Sequence, residues 1–379
     1  MSRRRVREAH FLSQRTSQRS AITIVVWLLV GSAIGTLTGG TIIHDLSSAA
    51  AQPNTQIPYP YVTDPASGSV ILADAKTGSP LLFLKVNQQL AHIVAPREGR
   101  FIYATVFNSS SLLVLDKPSF QVVATVPVGD GAHHLELSPD GSQIFVVGQK
   151  DNSVSVVDVR TSSLVRTIGV GADPHAAAFA PDGSLAFVTN KAQDTVSVID
   201  VQEGQVIQTI PVGSSPSMPA VSFDGRYLLV TDSASNELSV VDVRTLSRVT
   251  TIPLGKNPHS VAINPVKPLA YIANEDDGTV SAVDLNSMNV VANVMVGKSP
   301  NELAISTDGT RLYSVNSGDG TLSVIDALAY HLISVSRLGL QPHGIAIVFP
   351  SQDFRPPIAA PQQSSRKTVA AASSFTCGG

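Results

Sequence analysis

The sequence predicts an all-β fold: a seven-bladed β-propeller of 42-residue, four-stranded blades, preceded by one N-terminal transmembrane or signal helix. Three observations predict it. Glycine recurs at a 42-residue interval, at Gly129, Gly171, Gly213, Gly255, Gly297 and Gly339. Aspartate keeps the same interval at Asp74, Asp116, Asp158, Asp200, Asp242, Asp284 and Asp326. The two ends of the repetitive region are complementary fragments of one further unit. A repeat of about 40–45 residues made of short strands is the mark of a propeller blade.

Residues 1–20 hold six arginines and one glutamate, a basic segment of net charge +5. Residues 21–43 carry no charge. As a helix they would reach about 35 Å, enough to cross a hydrocarbon core of about 30 Å. The arginine cluster should stay in the cytoplasm and the rest of the chain outside it. The segment reads as an uncleaved anchor, because the basic region is long and Leu29 lies far from the small-residue run Ala49-Ala50-Ala51. The alternative is a signal peptide cleaved near Ala51, which would release a secreted protein. Residues 44–60 are a linker.

Residues 61–350 are the propeller. In the unit from Gly171 to Val212, HAAAFA is strand a, LAFVTN strand b, TVSVID strand c and VIQTIPV strand d. Gly, Asp and Asn fall where the backbone must turn. Pro127, Pro211 and Pro253 fall near the end of strand d, where a missing ladder donor is tolerated on an outer edge. Six complete units begin at Asn87 and at the glycines from Gly129 to Gly297. Tyr61–Val86 supplies strands b, c and d of a seventh, and Gly339–Val348 supplies strand a. Blade closure by 339–348 with 61–86 leaves no unpaired end. Residues 351–379, rich in Pro, Ala, Ser and Gln, read as a disordered tail.

Hydrophobic residues make up 43 % of the chain and aromatics 5 %, a Val/Ile/Leu/Ala-rich content that suits stacked sheets. The single cysteine, Cys377, excludes an internal disulfide and a cysteine zinc site. The net charge is −3 and the body between the basic ends carries about −9, so nucleic acid is a poor partner.

The tetrads YVTD (61–64), FVTN (187–190) and YIAN (271–274), with SPDG (138–141), resemble the YVTN-repeat family of seven-bladed propellers over about residues 61–348. The resemblance implies the fold. It also brings in a broad group that is similar to the haem-binding propeller of cytochrome nitrite reductase, the copper-binding propeller of nitrous oxide reductase and lactonase-like propellers.

Alternating strand direction brings the d–a and b–c loops to one face. The position just before strand a reads Ala91, His133, His175, Ser217, His259, Asn301 and His343 around the ring. Four imidazoles there invite a copper or zinc reading. Against it, ligands must converge to about 2.0–2.1 Å from a metal, which looks hard across seven blades, and no carboxylate shares the position. The expectation is that these histidines bond loop backbone of their own or the next blade. Glu136 and Glu302 fall on inner strands and should line the channel, and His92 and His134 lie on inner strands too. The acidic b–c loops NEDDGT (274–279) and NSGDGT (316–321) offer oxygen ligands for calcium but also read as hairpin turns.

The leading functional reading is an exported, membrane-anchored, monomeric propeller. It would bind an unknown protein or small molecule on the d–a/b–c face through His133, His175, Ser217, His259, Asn301, His343 and Glu136, with no cofactor and no catalysis. The alternative is a redox protein that uses the channel histidine ring with copper, zinc or haem. A lactonase-like hydrolase comes third.

Overall fold

The structure, a computed structural model, describes residues 58–349. The basic segment, the apolar run, most of the linker, and the tail with Cys377 lie outside the described residues. Among the described residues there are seven sheets of four antiparallel strands, and the only helix is a 3-10 turn at Lys191–Gln193. We number the blades 1–7 and call their strands a–d from the axis outward.

Blade 1 is the composite one. Ile345–Val348 is its strand a, and Tyr59–Asp64, Ser69–Ala73 and Pro80–Lys85 are its strands b–d. The seam pairs Tyr59 with Val348 and Val62 with Ile345. Two further ties close the ring. Asp64 accepts the backbone amides of Leu340 (3.0 Å) and Gln341 (3.2 Å), and Tyr313 of blade 7 donates its hydroxyl hydrogen to the Ala75 carbonyl at 2.6 Å. Strand a of each blade contacts that of the next all the way round.

The repeated residues have repeated backbone duties. The aspartate closing strand c accepts amides of the c–d turn: Asp200 takes that of Glu203 at 2.8 Å, and Asp242 those of Arg244 and Thr245 at 2.9 and 3.0 Å. The 42-residue glycine lies against the residue that ends strand b. A Cβ on Gly171 would meet the Asn190 side chain at 2.4 Å, and one on Gly213 the Asp232 side chain at 2.6 Å. That contact explains why the tetrad ends in Asn or Asp.

The core lies between blades. One buried cluster joins Val62, Ile71 and Ala73 of blade 1 to Tyr313, Val315 and Leu322 of blade 7. Another joins Tyr103 and Leu112 of blade 2 to Ile144 and Val146 of blade 3. Each sheet needs a neighbour on both faces, so the sequence repeats. Strands d are outermost, bulged against strands c, and end on Pro127, Pro211 and Pro253 in three blades. These features blunt exposed edges.

Candidate functional site

Strand a is not regular. In blades 2–6 its register against strand b slips by one residue at the second and third strand positions: 91–92, 133–134, 175–176, 217–218 and 259–260. Blade 7 slips between Pro300 and Glu302. A bulge leaves one residue unpaired and re-aims side chains that a flat strand would send to opposite faces. In this way His92 and His134 reach the same axial cluster as His133 and His343, and Met218 and Ser260 line the axial cavity, while Ala176 packs between blades.

The threonine of the tetrad satisfies the backbone that the bulge frees. Thr189 accepts the Ala176 amide (3.2 Å) and donates to the Ser217 carbonyl of the next blade (2.6 Å). Thr231 repeats this with Met218 N–H (3.0 Å) and His259 O (2.6 Å), and Thr63 with Gly344 N–H (2.8 Å) and Ala91 O (2.7 Å). Thr105 holds the His92 amide and the His133 carbonyl. These threonines tie blade 1 to 2, 2 to 3, 4 to 5 and 5 to 6; blades 3, 6 and 7 carry Val147, Ala273 and Val315 at that place.

The result is two tiers. The rim tier is the expected set, although its residues lie inside strand a or its bulge and not before the strand, except in blade 1, where His343 precedes Ile345–Val348. The second tier, one residue on, contains His92, His134, Ser260 and Glu302. The tiers touch. Ring centroids are 4.9 Å apart for His92–His133 and His92–His134, 4.8 Å for His92–His343, 5.2 Å for His133–His175 and 5.3 Å for His175–His259. The seven-bladed axis is thus no obstacle to convergence, contrary to the sequence expectation. Small residues in the second tier, Ala176 and Gly344, let the imidazoles close in.

The expectation that the rim histidines bond loop backbone is met only in part by His259, whose Nδ1 is 2.7 Å from the carbonyl of Asn301, on strand a of the next blade and not in a loop. It fails for the others. Asn301 Nδ2 lies 2.8 Å from His343 Nδ1. His133 Nδ1, His175 Nδ1, His343 Nε2 and the Ser217 hydroxyl are buried with no hydrogen-bond partner. Ala91 contributes its carbonyl to Thr63 and no polar side chain.

One step further along strand a begins an axial cavity of about 300 Å³, lined by His92, His134, Glu136 and Glu302 among others. The expected lining position of both carboxyls is therefore observed. Glu302 also reaches the histidines, at 3.7 Å from His92 Nδ1. No carboxylate shares the rim position itself, but the bulge brings one to it from the tier behind.

Burial sets the charge states. Desolvation, with repulsion from neighbouring imidazoles, holds His92 and His175 well below the ordinary histidine value and His133, His134 and His343 down to about 3. His259 falls to about 4, its burial partly offset by the Asn301 bond. Desolvation pushes Glu136 and Glu302 up to about 8. At neutral pH the His92–Glu302 contact is a neutral pair and not a salt bridge, and the imidazoles keep a lone pair free for an electrophile.

On the outer side Phe107 packs on the ring, 5.0 Å from His343 and 5.8 Å from His133. Lys191, in the 3-10 turn, adds a positive charge that opposes protonation of His133, His175 and His259. The acidic b–c loops are already engaged. Asp277 accepts the Lys256 amide at 2.8 Å and Asp319 the Lys298 amide at 3.0 Å, stapling the b–c loop to the d–a loop. Those carboxylates cap backbone and do not assemble as a calcium cage.

These features define a seven-bladed β-propeller with a neutral, imidazole-lined axial mouth. Residues 142–265 match the model of the cytochrome D1 heme domain, a third of the chain that includes His175, Ser217 and His259. No curated protein matches by sequence. Among solved structures, a protein of unknown function from Desulfotomaculum acetoxidans superposes with TM-score 0.68 at 14 % identity, covering 77 % of this chain and 99 % of its own. Hydrazine synthase of Kuenenia stuttgartiensis gives TM-score 0.65 at 22 % identity, with 71 % and 92 % covered. The dihydro-heme d1 dehydrogenase NirN, in complex with DHE, gives 0.60 at 16 %, with 80 % and 79 % covered. At these identities the likeness is one of fold.

Proposed function

We propose that this chain is an exported redox propeller whose rim imidazoles ligate the iron of a haem-type cofactor carried on the d–a/b–c face. One observation carries the reading: the buried nitrogens of His133, His175 and His343 converge at the channel mouth with no hydrogen-bond partner. The cytochrome D1 heme domain match, which contains His175 and His259, supports it. So does the fold likeness to the dihydro-heme d1 dehydrogenase NirN.

The residues fit iron ligation, since neutral imidazole is a common ligand of haem iron. Centroid spacings of 4.8–5.3 Å leave no slot for a flat macrocycle between the rings. His133, His175 and His343 would be the residues to hold such a cofactor, from the d–a/b–c loop face. Bound there, the iron would supply one-electron chemistry. Phe107 gives the cofactor an apolar wall, and Lys191 a cation for acidic groups at its edge. The threonine ties hold the His133 and His259 backbone, so little reorganisation accompanies ligation there. The anchor reading of residues 21–43 and the YVTN-type assignment enter this proposal from the sequence alone.

The test is reconstitution of the purified full-length chain with haem or haem d1, followed by absorption spectroscopy and iron analysis. Stoichiometric iron with a ligation spectrum that changes in His175→Ala or His133→Ala is the expected result. A folded wild-type protein that takes up no tetrapyrrole overturns the proposal. It would favour the cofactor-free binding scaffold, which retains one observation of its own: three rim positions are Ala91, Ser217 and Asn301, and His259 is already engaged.

A further inference from the structure

We propose that the second tier is a separate metal site, in which His92, His134 and Glu302 hold a divalent transition-metal ion, zinc in first place, with an open position facing the axial cavity. The three are 4 %, 7 % and 5 % exposed, and each offers a ligand atom within 4.8 Å of the other two. Tetrahedral ligands at about 2.0–2.1 Å from zinc lie about 3.4 Å apart. This site does not depend on the rim reading above.

Four observations point to a ligand. First, His134 Nδ1 is buried and has no hydrogen-bond partner; His92 Nε2 is likewise buried and unpartnered, while His92 Nδ1 is the nitrogen that lies near Glu302. A nitrogen so placed is destabilising unless something takes its lone pair.

Second, the fold makes room for this meeting. His92 belongs to blade 2 and Glu302 to blade 7, with blade 1 between them. The second-tier residue of blade 1 is Gly344. A Cβ there would meet the Ala91 carbonyl oxygen at 2.6 Å and the His92 Cα at 2.8 Å. With no side chain at Gly344, His92 and Glu302 reach across a whole blade to 3.7 Å.

Third, the carboxylate is backed by the neighbouring blade. Ser260 of blade 6 accepts the Leu303 amide at 3.2 Å and lies against the Glu302 carboxyl. Such outer contacts orient metal ligands.

Fourth, the ligand set is incomplete in a telling way. Two imidazoles and one carboxylate are the donors of open zinc and non-haem iron sites, where a water or substrate fills the remaining position. Here that position faces about 300 Å³ of cavity, which Glu136 also lines. The ligand class is a small polar molecule or water on the ion.

The competing set on the page is His92, His133 and His343, which shares one histidine with this one. The experiment therefore separates the tiers. The full-length chain is stripped with chelator and titrated with Co²⁺, read by its visible ligand-field bands, and with Zn²⁺ by competition against a chromophoric chelator. We expect one ion per chain and a Zn²⁺-dependent rise in melting temperature. Affinity should fall at least about 100-fold in His134→Ala and in Glu302→Gln, beyond what loss of an outer contact costs, and stay within a few-fold of wild type in His175→Ala and His343→Ala. Glu302→Gln is nearly isosteric and uncharged, so it tests the ligand role even if His134→Ala does not fold. Loss in His343→Ala with retention in Glu302→Gln would move the ion to the rim and overturn the proposal. No stoichiometric uptake by folded wild type would also overturn it. Zn²⁺ uptake with failed haem reconstitution would leave this site standing and remove only the rim reading.

Discussion

Thr189→Val isolates the tether that shapes the channel mouth. Thr189 is fully buried, and its hydroxyl has two backbone partners: it accepts the Ala176 amide at 3.2 Å and donates to the Ser217 carbonyl at 2.6 Å. Valine matches threonine in volume, and blades 3 and 7 carry valine at this place (Val147 and Val315), so the substitution leaves no cavity and forces no clash. What is lost is polar. One buried N–H and one buried C=O lose a partner, at about 1–3 kcal/mol for each unsatisfied group. The carbonyl has a second lone pair and relaxes more easily, so a total of about 2–3 kcal/mol is expected. The assay is urea unfolding, with hydrogen exchange at the Ala176 amide as the local probe. That amide should exchange faster, and the unfolding midpoint should fall. Thr245→Val, at an exposed c–d turn, should change stability by less than about 0.5 kcal/mol. A Thr189→Val protein within that same margin of wild type, with Ala176 still protected, would refute the account of the bulge.

Deleting residues 339–379 removes the partner of Tyr59–Val62 and both amides on Asp64; the product should be proteolysed quickly or aggregate, and a truncation as resistant as the parent would refute the closure. Gly344→Ala places a Cβ 2.6 Å from the Ala91 carbonyl oxygen, which should cost about 1–3 kcal/mol in thermal or urea unfolding. Stability should peak near pH 6.5. His133, His134 and His343, held to about 3, and His259, held to about 4, leave the unfolded chain with more bound protons between those values and about 6.5, so acid destabilises the fold there. Glu136 and Glu302, raised to about 8, leave the folded chain with more protons between about 4.5 and 8, so stability declines on the alkaline side. Each proton of difference contributes about 1.4 kcal/mol per pH unit, and a stability profile flat from pH 4 to 8 would refute these assignments.

The fold was legible because each repeated residue does a backbone job that side-chain identity alone can do. Gly171 must lack a Cβ because Asn190 occupies its place. Asp200 must carry a short carboxylate because the turn amide of Glu203 needs an acceptor. The aspartate recurs in all seven blades and the glycine at six of the seven places, with Asn87 at the other. The seam was legible for the same reason: Gly339 has its Asn/Asp counterpart in Asp64, and only the composite blade puts them together.

The site was legible by half. The rim tier follows from register, since equal positions in equal blades share a height and a radius. The second tier does not, because period-2 alternation sends His134 away from the face that His133 occupies. The one-residue slip at 133–134 cancels that alternation, and a slip leaves no mark in the hydrophobic pattern. In blades 2, 4 and 5 its trace in the sequence is indirect, a threonine at the third place of the tetrad; blades 3, 6 and 7 slip as well and carry Val147, Ala273 and Val315 there, with no such trace. Thr63, Thr105, Thr189 and Thr231 each hold an amide of a bulge and a carbonyl of the next one. The bulge also decides the chemistry. It stacks two tiers of imidazole within 5 Å of each other in a space too dry to ionise them. A histidine ring spread on an open rim would be a pH-sensitive patch; the same residues doubled and buried are held neutral by desolvation.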